Sequence, residues 1–348
     1  MKKIAALLMC LVMAAVIVAG CAAPQETAAP AAEPAAETAT EAEPAAEAEA
    51  APEELPVIRY GAFLNMLKSS LIYIATEKGF DIEEGVDVEL VNVSKSADAL
   101  TSIITEGGAM IAAKGTAQQY RDDINNLKGK TVLGIRGETG VLAMMAKLVE
   151  LGFDVNKDIT IKWADAPSVL EGVSKGEGDV GFLPIEYTYF GDDVNAEVVY
   201  QVGEVAENYI CCRMTTSRKI LEERRDDLVK VIKAEIRAYK FMQENKEETV
   251  KILAAYSGQD EEYVEQNIYN VRISFVPDPY ADAVGPFYNV LGIMGFFENE
   301  EATSIDVMDH VDATLYKQAL DEIMEEYPND PCYEQLLEIY NRQNSTVQ

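Results

Sequence analysis

Histidine is nearly missing from this chain: His310 is the only one in 348 residues, and there is a single tryptophan, Trp163. Cysteine is also scarce, with Cys10 and Cys21 near the start and Cys211, Cys212 and Cys332 later. No pair of these has metal-ligand spacing and His310 has no partner histidine, so neither a metal site nor a Cys-His nucleophile is expected. No GxxxxGK[ST] motif occurs, which excludes a P-loop, and no long basic run is present. Basic residues are outnumbered 29 to 60, a net charge of −31. From Leu55 onward the balance is 27 basic against 51 acidic residues, a net of −24. Such a field makes nucleic acid and anionic lipid surfaces poor partners. An anionic ligand is not forbidden, because helix-start amides and one lysine act locally while net charge acts at long range and is screened.

The first 54 residues lack what a folded core needs. Met1 to Gly20 carries Lys2 and Lys3, an apolar run from Ile4, and Val18-Ala19-Gly20 before Cys21. A charged start, a short apolar stretch and small residues before a cysteine describe a lipoprotein export signal over 1–20, with the lipid on Cys21 as membrane anchor. The run is at the lower edge of the roughly 17–25 residues a spanning helix requires. From Ala22 to Glu54 there is no aromatic, no Lys or Arg and no Val or Ile, and Pro24, Pro30, Pro34, Pro44 and Pro52 interrupt any helix. The segment 21–55 reads as an acidic, disordered tether that lifts the rest from the membrane.

The remaining 290 or so residues suffice for two lobes. Val57 to Tyr60 reads as a strand running into Gly61 and a polar loop with Asn65, Lys68, Ser69 and Ser70. Leu71 to Thr76 is an apolar-periodic run ending at Lys78-Gly79, and Val86 to Val93 alternates as a second strand. In a β-loop-α-β unit the loop lies at the carboxyl edge of the sheet, facing a ligand, though any α/β protein shares that pattern. Further on, Arg136-Gly137-Glu138-Thr139-Gly140 lies between strand Thr131–Ile135 and helix Val141–Leu151. It is either a cradle for an anion or polar group or an ordinary capped turn, with Thr139 a good N-cap. Strand Ile159–Trp163, helix Ser168–Ser174, and the turn Lys175 to Leu183 follow, leading to Pro184-Ile185-Glu186-Tyr187. Glu186 is a cleft acceptor or solvated surface with equal claim, and Trp163 belongs to the core. The adjacent Cys211 and Cys212 sit on a strand, so their thiols should diverge. Beyond Met214 the pattern is helical, with apolar spacing at Leu228, Val231, Ile232, Ile236 and Tyr239.

Several of these words resemble a known family. Ile72-Tyr73-Ile74-Ala75-Thr76-Glu77-Lys78-Gly79-Phe80, Glu83 to Val91, Ser94 to Leu100, Asn126 to Lys130 and Lys175 to Leu183 resemble the substrate-binding lipoproteins of nitrate/sulfonate/taurine-type ABC transporters. The resemblance runs to about Tyr340 with one interruption. After Leu100 the chain passes almost at once into Glu106 to Gly115, which resembles the family's crossing strand, so about one βαβ unit of lobe one is missing.

The resemblance implies an α/β, two-lobed type II periplasmic-binding-protein-like fold with a helical C-terminal region packed on lobe one. Residues 56–113 plus 215–345 form lobe one and 114–214 lobe two, with crossovers near Ala109 to Gly115 and Asn208 to Met214. It implies an exported, lipid-anchored monomer on the outer face of the bacterial cytoplasmic membrane, not an enzyme and without a cofactor. Its partners are a small ligand (sulfonate, nitrate, aromatic or pyrimidine-like), an ABC permease and the permease's ATPase. Cleft residues are Asn65, Lys68, Ser69, Ser96, Thr139, Gly140, Glu186 and Tyr187, with helix-start amides near Ser69 and Thr139 holding the polar end of the ligand. Competing readings are a pyrimidine-forming or menaquinone-pathway enzyme on the same fold and a lipoprotein that no longer binds ligand.

Overall fold

The computed structural model describes residues 54–93, 104–105, 107–206, 209–270, 275–297 and 299–347. The signal, Cys21, nearly all of the tether and Ser96 lie outside the described residues.

Two strands, β1 (Val57–Ala62) and β2 (Asp87–Asn92), pair in parallel with Val57 opposite Asp87. Alternation sends Ile58, Tyr60, Ala62 and Val88 into a core, while Arg59 and Glu89 meet at 3.5 Å on the outer face. Helix α1 (Ser70–Glu77) joins them and buries Leu71, Ile72, Ile74 and Ala75. Gly79, at φ 71°, ends it and starts the short α2 (Phe80–Glu83). Among the described residues this first sheet has two strands.

The second sheet has five among the described residues. After β3 (Ile104–Thr105) come β4 (Gly108–Ala113), α3 (Gln118–Asp122), β5 (Thr131–Gly134), α4 (Thr139–Glu150), β6 (Thr160–Trp163), α5 (Ala166–Lys175), β7 (Val180–Pro184) and β8 (Ala196–Gln201). The spatial order is β6-β5-β7-β4-β8, with β5 parallel to β6 and β7 and β4 antiparallel to β7 and β8. Two separate clusters cover its faces: Val141, Met144, Met145 and Leu148 of α4 in one, Val169, Leu170 and Val173 of α5 in the other. Burial on both faces explains the continuous apolar run of β4. Helix α5 begins two residues before the sequence suggests, because the Asp165 carboxylate accepts from Ser168 N at 2.9 Å and Pro167 suits the first turn.

The chain returns through β9 (Ile210–Cys212), which pairs antiparallel with β3. The first crossing is therefore this short ribbon rather than 109–115, since β4 is hydrogen-bonded on both edges within the five-stranded sheet. Then follow α6 (Arg218–Glu223), α7 (Arg225–Glu244), α8 (Lys246–Ser257), α9 (Glu261–Ile268), α10 (Val284–Ile293), α11 (Glu300–Thr303), α12 (Thr314–Glu326) and α13 (Pro331–Gln343). Helix α7 lays Leu228, Val231, Ile232, Ile236 and Tyr239 into the core of β1, β2 and α1, joined there by α8, α12 and α13. The Tyr60 hydroxyl donates to Glu235 of α7 at 3.2 Å. The expected helical cover on the first half is present. Helix α10 departs from it: Phe287, Val290 and Leu291 pack with α4 in the second half, and Asn156 Nδ2 donates to the Ile293 carbonyl at 3.0 Å.

Candidate functional site

Three segments converge on a cleft of about 270 Å³, lined by Asn65, Met66, Leu67, Glu186, Tyr187, Ser257, Gln259 and Tyr263. The loop after β1 contributes Asn65, which holds φ 62°, a conformation that asparagine tolerates better than most residues. The segment Ile185–Val194, a run of 3-10 turns after β7, carries Glu186 and Tyr187. The end of α8 and the start of α9 supply Ser257, Gln259 and Tyr263, and the Tyr263 ring meets Tyr189 edge-on at 5.4 Å. Tyr263 belongs to the helical tail, which the sequence pattern does not single out for a cleft.

Ser69 does not face this space. It is buried, and its hydroxyl donates to the Phe63 carbonyl at 3.1 Å, as Ser70 does to Leu67 at 2.6 Å. These hydroxyls stabilise the turn into α1. Lys68 lies in the field of Cys211, Glu186, Cys212 and Glu138. Burial opposes its charge, but those groups more than offset that and hold the ammonium above its ordinary pKa.

The start of α4 differs from expectation. Its N-cap is Glu138, not Thr139: Glu138 Oε2 accepts from Val141 N at 2.8 Å, so the chain's own carboxylate occupies the helix-start amides. Burial pushes the Glu138 pKa up, against the pull of the Gly140 and Val141 amides and of Lys68. The freed Thr139 hydroxyl bonds Cys211 Sγ at 3.3 Å. Gly140 serves packing, since a Cβ there would lie 2.9 Å from the Cα of Gly108 in β4. The same crossing is pinned by Tyr209, whose buried hydroxyl oxygen accepts from Gly107 N at 2.7 Å and Gly108 N at 2.5 Å.

The two thiols do not diverge. Cys211 and Cys212 sulfurs are 3.6 Å apart, because β9 is three residues long with an irregular register and lacks a regular pleat. The hydrogen bond with Cys212 lowers the Cys211 pKa to about 7 against burial, helped by Lys68 and Thr139, and Cys212 is pushed well up. Glu186 Oε2 is shielded from solvent without a hydrogen-bond partner among the described residues, a state that costs about 1–3 kcal/mol or more for an ionised group. Thus Asn65, Glu186 and Tyr187 line one cleft, Lys68 shares the field of Glu186, and Thr139 and Gly140 contact β9 and β4.

Directly after the thiols, Arg213 anchors the returning strand. Its Nε donates to the Pro279 carbonyl and Nη1 to the Cys212 carbonyl, both at 2.6 Å. Nearby Asp278, fully buried, accepts from Tyr280 N at 2.8 Å and Asn344 Nδ2 at 2.9 Å, and burial pushes its pKa up to about 6. The sequence pattern reads Asp278-Pro279 only as a helix opener. Trp163 is half-buried against Phe296 at 5.8 Å, and His310 is exposed. Among the described residues no group of three or more His, Cys, Asp or Glu is placed to hold a metal ion, and no helix is long and apolar enough to cross a membrane.

The fold is matched in known structures. The periplasmic sulfonate-binding protein SsuA of Methylobacillus flagellatus KT superposes with a TM-score of 0.58 at 14% identity, over 79% of this chain and 96% of that one. The periplasmic nitrate-binding protein NrtA of Synechocystis PCC 6803 gives 0.57 at 12% identity, over 80% and 92%. This chain has the periplasmic-binding-protein fold. At such identities the likeness is one of fold. In sequence, this chain is 24% identical over 267 residues to "Putative binding protein YtlA" of Bacillus subtilis (strain 168), covering 65% of this chain and 79% of that one. No protein-family model matches it.

Proposed function

We propose that this chain is the extracytoplasmic solute-binding component of an ABC importer, anchored by lipid on Cys21 and held off the membrane by the segment 21–55. It captures a small ligand between its two halves and delivers it to a permease driven by a separate ATPase. The observation that carries the reading is the cleft itself. It takes Asn65 and Leu67 from beside the first sheet and Glu186 and Tyr187 from the second on a fold shared with solved binding proteins. The lobes in this reading are 56–105 with most of 215–345, and 108–209 with α10, turning about β3 and β9. Closure is favoured by ligand because only the closed state lets both lobes touch it. The reading is of binding, not catalysis.

A thermal-shift and calorimetric screen against sulfonates, nitrate, aromatic acids and pyrimidines tests this. A saturable shift without turnover supports the receptor, and turnover favours an enzyme on the same fold. The two strands that the first sheet has among the described residues motivate a second reading, a lipoprotein that has lost binding, and this predicts no shift from any compound.

A further inference from the structure

The cleft is built for the opposite charge to an oxyanion. An anion receptor needs free helix-start amides or an uncompensated cation. Among the described residues of this cleft neither is on offer. The start of α4 is capped by Glu138, and the turn before α1 closes on itself through Ser69 N to the Met66 carbonyl at 3.0 Å and Ser70 Oγ to Leu67. The lysine at the site, Lys68, sits in the field of two carboxylates, Glu138 and Glu186, and of the paired thiols. What the cleft does present is a carboxylate, Glu186 on its wall; its Oε2 is turned out of solvent and has no hydrogen-bond partner among the described residues, which leaves the group short of donors. Tyr187 and Tyr263 stand beside it as aromatic walls, and Asn65 adds an amide at the rim.

We propose that this cleft selects a small, flat solute bearing N–H donors, an amine- or amidine-substituted aromatic or heteroaromatic, with Glu186 as its acceptor, and discriminates against nitrate and sulfonates. The inference rests on the receptor reading above and narrows its ligand. A charge-assisted N–H to carboxylate bond supplies orientation, and the tyrosines supply the apolar faces. The acidic field of the folded part steers such a cation and repels a small anion.

The test uses probes matched in size and shape: benzamidine and 4-aminopyridine against benzenesulfonate and nitrate, observed by ligand NMR at millimolar concentration with the full folded chain. The expected result is saturable binding of the donor probes, at least about tenfold tighter than of the anions, and loss of that preference in Glu186→Gln. The wild-type comparison stands by itself if the variant does not fold. Tighter binding of benzenesulfonate or nitrate overturns the donor-ligand inference and leaves the receptor reading intact. Equal donor binding in wild type and a folded Glu186→Gln overturns the role of Glu186. Absence of binding by these probes and by every compound of the wider screen overturns both.

Discussion

Asp278 offers the sharpest energetic test. Its carboxyl is fully buried, bonded to Tyr280 N and Asn344, with Arg213 nearby, and its pKa rises from 3.8 to about 6. Between about pH 4 and 6 the folded chain keeps a proton that the unfolded chain has released. Stability therefore falls as pH rises through this window. The slope is about 1.4 kcal/mol per pH unit, so two units amount to roughly 3 kcal/mol. Asp278→Asn cannot titrate, and its side chain keeps an oxygen for the Tyr280 amide. Urea unfolding of both proteins at pH 4, 5, 6 and 7, with m held common, gives the comparison. The wild type should lose about 3 kcal/mol relative to the variant between pH 4 and 6.5 and run parallel to it above. Parallel curves throughout, or a wild type that gains with pH, would refute the assignment.

Tyr209→Phe leaves the Gly107 and Gly108 amides without their acceptor and should cost about 1–3 kcal/mol by urea unfolding; an unchanged midpoint contradicts the pinning role. Gly140→Ala forces a Cβ to 2.9 Å from Gly108 Cα and should lower stability by about 1–3 kcal/mol, seen as a drop of about 2–10 °C in Tm. Thiol labelling with a chromogenic disulfide should show a rate midpoint near pH 7, absent in Cys211→Ser and shifted upward in Lys68→Met, while Cys332, pushed up to about 11, stays slow. A single midpoint near 9 would contradict the hydrogen bond of Cys212, and the support of Lys68, as the causes of the lowered Cys211 pKa.

The fold was legible where period and punctuation agree. The strands at 57 and 86, the apolar run from Leu71 and the spacing of Leu228, Val231 and Ile232 each follow from burial on one face, and tertiary packing left them unchanged. The place where chain passes between sheets was not legible, because Gly108 to Ala113 is apolar throughout and its membership is decided by two long-range ladders. The site was half legible. Glu186 and Tyr187 follow from their place after a strand, but Tyr263 comes from the helical tail, where nothing in the sequence points to a cleft. Thr139 is the better capping residue by type, yet Glu138 reaches the amide and Cys211 takes the hydroxyl, a competition among neighbours distant in sequence. The thiols were misread by assuming a regular pleat where three residues cannot sustain one.

The most direct measurement is a crystal structure of the folded part with whichever solute produces the largest saturable shift. The account predicts electron density for that solute between Asn65, Glu186, Tyr187 and Tyr263, with an N–H donor on Glu186 and the two sheets drawn together. Density only in the larger hollow of about 720 Å³ between α4 and α10, with the cleft closed by its own side chains, would contradict it.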